Sequence, residues 1–230
     1  MATRPVFSPI FEGLQLVQET AIEFVWHPGM AISQRQLNIR SLHEAAAGAG
    51  LSPVLEVSTK AQEAIGRSLS AFNLTIALNS GRSVPIEVAF QGSKVFESGG
   101  PFEDIMKRTP REAKRDPRLR ESGPLREFRY EGCSWVLEPV TAFYDWIYLT
   151  ALSSRRELVD QLAIYKGFTD IEFNPKKSIN CQARSVALFL ALDARGLIEI
   201  AIESQESFLA TLRRFASPTS KPSVQFTLFP

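Results

Sequence analysis

Glu87, Gln91 and Lys94 follow one another at i, i+4 and i+7 within the segment PIEVAFQGSKVF, a spacing that sets them on one side of a helix. Val88, Ala89, Phe90, Val95 and Phe96 surround them with apolar side chains, so the polar stripe reads as the lining of a cavity. Desolvation there raises the proton affinity of a carboxylate, as a general acid working near neutral pH requires, while the Lys94 charge opposes that shift. The same spacing also fits a first-turn acid complementing the helix dipole beside a solvated lysine.

Other residues could act with this stripe. Asp170 and Glu172 alternate by two, so an extended segment points both carboxylates to one side. A solvated acidic loop is the alternative. Asn180, Cys181 and Gln182 precede an apolar periodic stretch, and backbone amides at a helix start suit a diphosphate; Asn180 or Gln182 equally suits a simple cap. Cys181 has no histidine nearby in sequence to draw its proton. Lys60 closes the short run VLEVS, where it is a candidate amine nucleophile or an exposed loop lysine. Phe72 and Trp135 offer faces on which a base gains about 1–3 kcal/mol by stacking, unless they belong to the core. Only His27 and His43 are present and no CxxC or HExxH spacing occurs, so no metal or cofactor is expected.

The elements that must position these groups read as follows. Leu14 to Trp26 reads as a strand ending at His27-Pro28-Gly29, and Val54 to Ser58 as another. Ser33 to Gln36 has capping-box spacing before a helix over about 34–48. Pro85 opens a helix over about 85–97. Lys107 to Arg129 reads as a short helix with exposed loops. Thr141 to Leu152, Ser154 to Tyr165, Cys181 to Arg195 and Leu197 to Phe215 read as helices, with Gly167 and Gly196 as stops. Val224 to Phe229 is an edge strand or a loose tail.

Lysine and arginine number 26 against 25 acidic residues, a net charge of +1 that excludes a uniformly basic protein. Residues 107–129 hold nine basic side chains against four acidic ones, a local +5 that leaves the remainder at −4. Arg111, Lys114, Arg115, Arg118 and Arg120 in that segment are candidates for gripping DNA phosphates, or make up a solvated face. Val186 to Leu192 is far shorter than a bilayer span of roughly 20 residues. Met1 to Glu12 lacks a signal-peptide pattern, and with only Cys133 and Cys181 the expectation is reduced thiols in the cytoplasm.

Leu69-Ser70-Ala71-Phe72, followed by Glu87, Phe90, Gln91, Lys94 and Phe96, resembles the NADAR (YbiA-like) family, whose pattern runs from an LSNF-like segment through a hairpin-like insert to an EHYFQAQKF-like helix. Asp170 to Asn174 and Asn180 to Gln182 are similar to a later family block. Ala71 replaces the usual Asn, and FNPKKSINCQARS replaces a WG-x-G turn. The segments RPVF, LSAFNL, AFQGSKVFE and FTDIEFNPKKSINCQARS resemble the branch of NADAR antitoxins associated with DarT-type DNA ADP-ribosyltransferase toxins, over residues from about 4 to 196.

The resemblance implies an α+β, helix-rich YbiA-like fold with a small N-terminal β component. It divides the chain into an extension over 1–53 packed on the core, a NADAR-like catalytic domain over 54–215 and a tail over 216–230. It implies hydrolysis of the N-glycosidic bond between ADP-ribose and guanine in DNA, countering a DarT-type toxin. Glu87 is then the acid/base, Lys60 the first candidate amine with Lys94 second, and Asp170 an electrostatic partner. Ser70, Phe72, Gln91, Trp135, Glu172, Asn174, Asn180, Cys181, Gln182 and Arg184 are its implied substrate contacts. An N-glycosidase of small metabolites such as riboflavin-pathway intermediates, and a non-catalytic antitoxin binding ADP-ribose or DNA, are the competing readings.

Overall fold

A hairpin begins the chain: β1 (Ala2–Pro9) pairs along its whole length with β2 (Val17–Phe24), from Ala2 opposite Phe24 to Pro9 opposite Val17. The computed structural model describes residues 1–176 and 178–215; the expected strand or tail over Val224–Phe229 lies outside them. Next come α1 (Ile32–Gly48), β3 (Val54–Glu56), α2 (Ala64–Ser68), the hairpin β4 (Thr75–Ala77) and β5 (Ser83–Pro85), α3 (Ile86–Gly92) and β6 (Lys94–Phe96). A 3-10 turn (Glu103–Lys107), α4 (Pro110–Lys114) and α5 (Arg118–Glu121) lead to β7 (Leu125–Tyr130) and β8 (Cys133–Trp135). The chain ends in α6 (Ala142–Ser153), α7 (Arg156–Val159), β9 (Gly167–Thr169), α8 (Gln182–Ala194), α9 (Ile198–Glu203) and α10 (Gln205–Arg214).

The principal sheet has the order β2-β1-β9-β3, with β9 antiparallel to β1 and parallel to β3. The N-terminal segment is thus continuous with the body of the fold. Both faces of the sheet are covered. Val6 packs with Ile22, Ile39, Leu42 and Val54 beneath α1, whereas its neighbour Phe7 turns into the larger core formed by α3, α6 and α8. The second sheet, β6-β7-β8, sends Phe128 into an aromatic cluster with Phe90 and Phe143. The fold class is α+β, as expected.

Several boundaries differ from the sequence reading. The Ser33–Gln36 box is not used, because α1 starts at Ile32 with Ala31 as its N-cap and no side-chain cap. The helix expected over 85–97 stops at Gly92, and Lys94-Val95-Phe96 pairs with β7 as a strand. Between Ser154 and Tyr165 only one turn is helical; Leu158, Val159 and Leu162 are buried there without a continuous helix, and Lys166 N–H donates to Pro53 O as the chain enters β9. The long helix expected over 197–215 is broken at Ser204, whose side chain caps α10 through the Ser207 amide. Pro5 and Pro9 are tolerated in β1 because its contact with β9 is confined to Phe7–Phe168. No helix among the described residues is long and apolar enough to cross a membrane.

Candidate active site

Parallel strands β3 and β9 end side by side, with Glu56 opposite Thr169, and each runs at its C-terminal end into a turn bearing a candidate residue. After β3, the Ser58–Lys60 turn is closed by Lys60 N–H donating to Ser58 Oγ at 3.1 Å. After β9, Asp170 O accepts from Phe173 N–H, so residues 170–173 form a turn rather than an extended segment. Asp170 and Glu172 therefore do not share a side: Asp170 is buried, while Glu172 is exposed and pairs with Arg35 at 3.1 Å. The period-two reading of this acidic pair is corrected on that ground.

A chain of hydrogen bonds joins Asp170 to Glu87. Gln182, the first residue of α8, donates Nε2–H to Asp170 Oδ2 at 3.0 Å and accepts from Ala71 N–H through Oε1 at 2.8 Å. Ala71 O in turn accepts from Glu87 N–H at 2.9 Å. The Leu69–Phe72 turn is thus the hub between α3 and α8. Ser70 is buried inside it, its Oγ accepting from Phe72 N–H, so its role is to shape the turn. Tyr148 of α6 donates its hydroxyl to Leu69 O from the core side.

Glu87 is only 7% exposed; its Oε1 accepts from Gln91 Nε2–H at 2.9 Å and lies 3.9 Å from Lys114 Nζ. Lys94 comes from β6, not from the helix, yet burial brings its ammonium to 4.7 Å from the Phe90 ring centroid and within the field of Glu87. Burial pushes the Lys94 amine down to about 8; Glu87 opposes this shift and Lys114 adds to it. Burial likewise pushes the Asp170 carboxyl up, against the amide hydrogen bonds that favour its charge. The Cys181 thiol, buried beside Asp170, is pushed well up and stays protonated, which removes it as a nucleophile. Lys60 is half-buried after β3, whereas Lys94 is 8% exposed.

Three features were not anticipated. Tyr144 and Tyr148, one helical turn apart on α6, have phenols pushed up by burial; Tyr144 lies within the field of Glu87, Asp170 and Cys181, and Tyr148 within that of Asp170 and Cys181. Two phenols at i, i+4 in a helical segment were the available signal. Glu56 is buried at the end of β3 against Asp170. Lys114, assigned to the DNA-gripping segment, stands at the site instead, 5.7 Å over the Phe72 ring and beside Glu87.

Other candidates are placed elsewhere. Trp135 is 2% exposed between Phe143 and Trp146, and a ring so enclosed offers no face to a base. Arg184 pairs with buried Asp145 at 2.8 Å and opens onto a separate cleft with Gln15, Glu19 and Thr141. Asn174 Oδ1 is used locally by Lys176 N–H, whereas Asn180 Oδ1 and Gln91 Oε1 are buried acceptors with no donor among the described residues. Arg118 is held by Asp104 and Asp116, leaving Arg111, Arg115 and Arg120 as exposed cations of the basic segment. Among the described residues no group of three or more His, Cys, Asp or Glu side chains converges to hold a metal ion.

No curated protein matches the chain. The family model described as the DarT1-associated NADAR antitoxin matches residues 2–222, a span that takes in every element from β1 to α10 and each of the turns that build the site. The chain belongs to the family of DarT1-associated NADAR antitoxins.

Proposed function

We propose that the protein is a cytoplasmic ADP-ribosylglycohydrolase that cleaves the N-glycosidic bond between ADP-ribose and guanine in DNA, reversing the modification made by a DarT-type toxin. The observation that carries this reading is the pairing of a buried carboxyl, Glu87, with a buried amine, Lys94, whose proton is held weakly. Lys114 of α4, in the basic segment, lies beside this pair, its Nζ 3.9 Å from Glu87 Oε1 and 5.7 Å from the Phe72 ring centroid.

The chemistry follows from these groups. The bond from the anomeric carbon to the ring oxygen breaks as the guanine nitrogen forms an imine to that carbon, and the ring oxygen takes the proton that the lysine sheds once its amine has added. The neutral Lys94 amine adds to the anomeric carbon. Glu87 delivers a proton to the guanine nitrogen, which leaves as a neutral amine while the lysine holds the sugar as a protonated imine. Water then adds, giving its proton to Glu87, and the lysine is released. Asp170 in its ionised form stabilises the positive charge, and the buried acceptors Gln91 Oε1 and Asn180 Oδ1 accept from ribose hydroxyls. Lys60, nearer the rim, is a cation for the diphosphate.

The test is release of ADP-ribose from a guanine-modified oligonucleotide. Glu87→Gln and Lys94→Ala are each expected to lower the single-turnover rate by about 10²–10⁴-fold. Full activity in both variants overturns the assignment, and a Glu87→Gln protein that protects cells as well as the wild type favours a masking antitoxin.

A further inference from the structure

Glu56 is a carboxyl group at the end of the apolar strand β3, 2% exposed, and the chemistry described above does not use it. Its position at the paired ends of β3 and β9 puts it between the two turns that carry Lys60 and Asp170. Oε1 accepts from Ile171 N–H at 2.9 Å and Oε2 accepts from Thr169 Oγ1–H at 2.8 Å, so it grips the residues on both flanks of Asp170. It also accepts from the Ser58 hydroxyl, and the oxygen of that hydroxyl accepts from Lys60 N–H.

Thr169 completes the arrangement from the other side. Its hydroxyl hydrogen is committed to Glu56, so at its contact with His43 Nε2, 2.9 Å away, it can only accept, and the imidazole carries its hydrogen on Nε2. Burial holds the ring neutral, bringing it down to about 4. Gly66 of α2 closes over the same strand end, where a Cβ would lie 2.0 Å from Glu56 O.

We infer that Glu56 is a positioning residue: one buried carboxyl holds the Lys60 turn and the Asp170 turn in fixed relation, its charge and that of Asp170 each opposing the other's ionisation. This inference rests on the glycohydrolase reading only for its effect on turnover. The titratable and charged groups facing Glu56 are Asp170 after β9, His43, Arg40 and Glu44 of α1, and Glu63 ahead of α2. With no cation hydrogen-bonded to either carboxyl among the described residues, burial pushes both proton affinities up, and the charge of Asp170 pushes that of Glu56 up further.

Two variants separate position from charge. Glu56→Gln keeps an oxygen to accept from Ile171 N–H and removes the charge, while Glu56→Ala removes both. Hydrogen exchange at the Ile171 and Lys60 amides is expected to accelerate at least tenfold in Glu56→Ala and to stay near wild type in Glu56→Gln. A ¹³C titration of side-chain carboxyls is expected to show the Asp170 midpoint moving to lower pH in Glu56→Gln. Both measurements use the protein alone, so they decide the inference even if the wild type releases no ADP-ribose, a result that would fail the glycohydrolase reading by itself. Where the wild type does turn over, the acid limb of its pH profile is expected to move to lower pH in Glu56→Gln. Unchanged amide exchange in Glu56→Ala, or an unmoved Asp170 midpoint in Glu56→Gln, overturns the inference.

Discussion

The buried amine of Lys94 gives the proposed reaction a defined pH dependence. Burial lowers its proton affinity, placing it at about 8 against the usual 10.5, so about one-tenth of the amine is neutral at pH 7 and about nine-tenths at pH 9. If attack by the neutral amine limits the rate, ahead of proton delivery from Glu87, the single-turnover rate rises about tenfold from pH 7 to 9 and levels off above that. Below pH 7 the profile steepens further, because Asp170, whose proton affinity burial raises, must also be ionised. Lys114 supplies the control: its charge helps to lower the Lys94 value, so Lys114→Gln moves the rise toward higher pH. The assay is a single-turnover time course with guanine-modified oligonucleotide, ADP-ribose release being followed from pH 6 to 9 at fixed salt. A rate that is flat or falls between pH 7 and 9, with the protein shown to remain folded, refutes attack by Lys94.

Further outcomes follow from the placement of the remaining candidates. Replacing Arg111, Arg115 and Arg120 together by Gln should weaken DNA binding and flatten its salt dependence by about 0.7–0.9 in log–log slope for each phosphate no longer neutralised, with no change in melting temperature. Trp135→Ala should cost about 3–5 kcal/mol of stability, read by denaturant unfolding, because the ring is enclosed by Phe143 and Trp146. Phe72→Ala should leave stability near wild type and weaken substrate binding by about 1–3 kcal/mol, measured by titration calorimetry. Cys181→Ala should keep full activity, and the Cys181 thiol should resist alkylation at pH 8 in the native protein while exposed Cys133 reacts.

What the sequence made legible was the chemistry of short motifs; what it hid was decided by tertiary burial. Glu87 and Gln91 are on one helical turn, as their spacing implied, and their side chains bond. Lys94 reaches the same site from a strand, because Ser93 ends α3 and pairing with Phe128 recruits the residues beyond it. Helical periodicity thus put Lys94 beside Glu87 for a reason the backbone does not follow. Glu56 escaped because an acid within VLEVS looks like the solvent side of a strand; only the cover of α1 on one face and the main core on the other buries it. The charge run over 107–129 was visible as composition, but its ion pairs were not: Arg108 and Arg118 are spent on Asp104 and Asp116, while Arg126 pairs with Glu97. Trp135 shows the converse, an aromatic whose type suits stacking and whose neighbours make it core.

Reductive trapping tests the proposed covalent chemistry most directly. Wild-type protein turning over guanine-modified oligonucleotide in the presence of borohydride should retain an ADP-ribose adduct as a secondary amine on the peptide containing Lys94, found by mass spectrometry and absent in Lys94→Ala. An adduct on Lys60, or release of ADP-ribose with no lysine trapped and with Lys94→Ala as active as wild type, would contradict it.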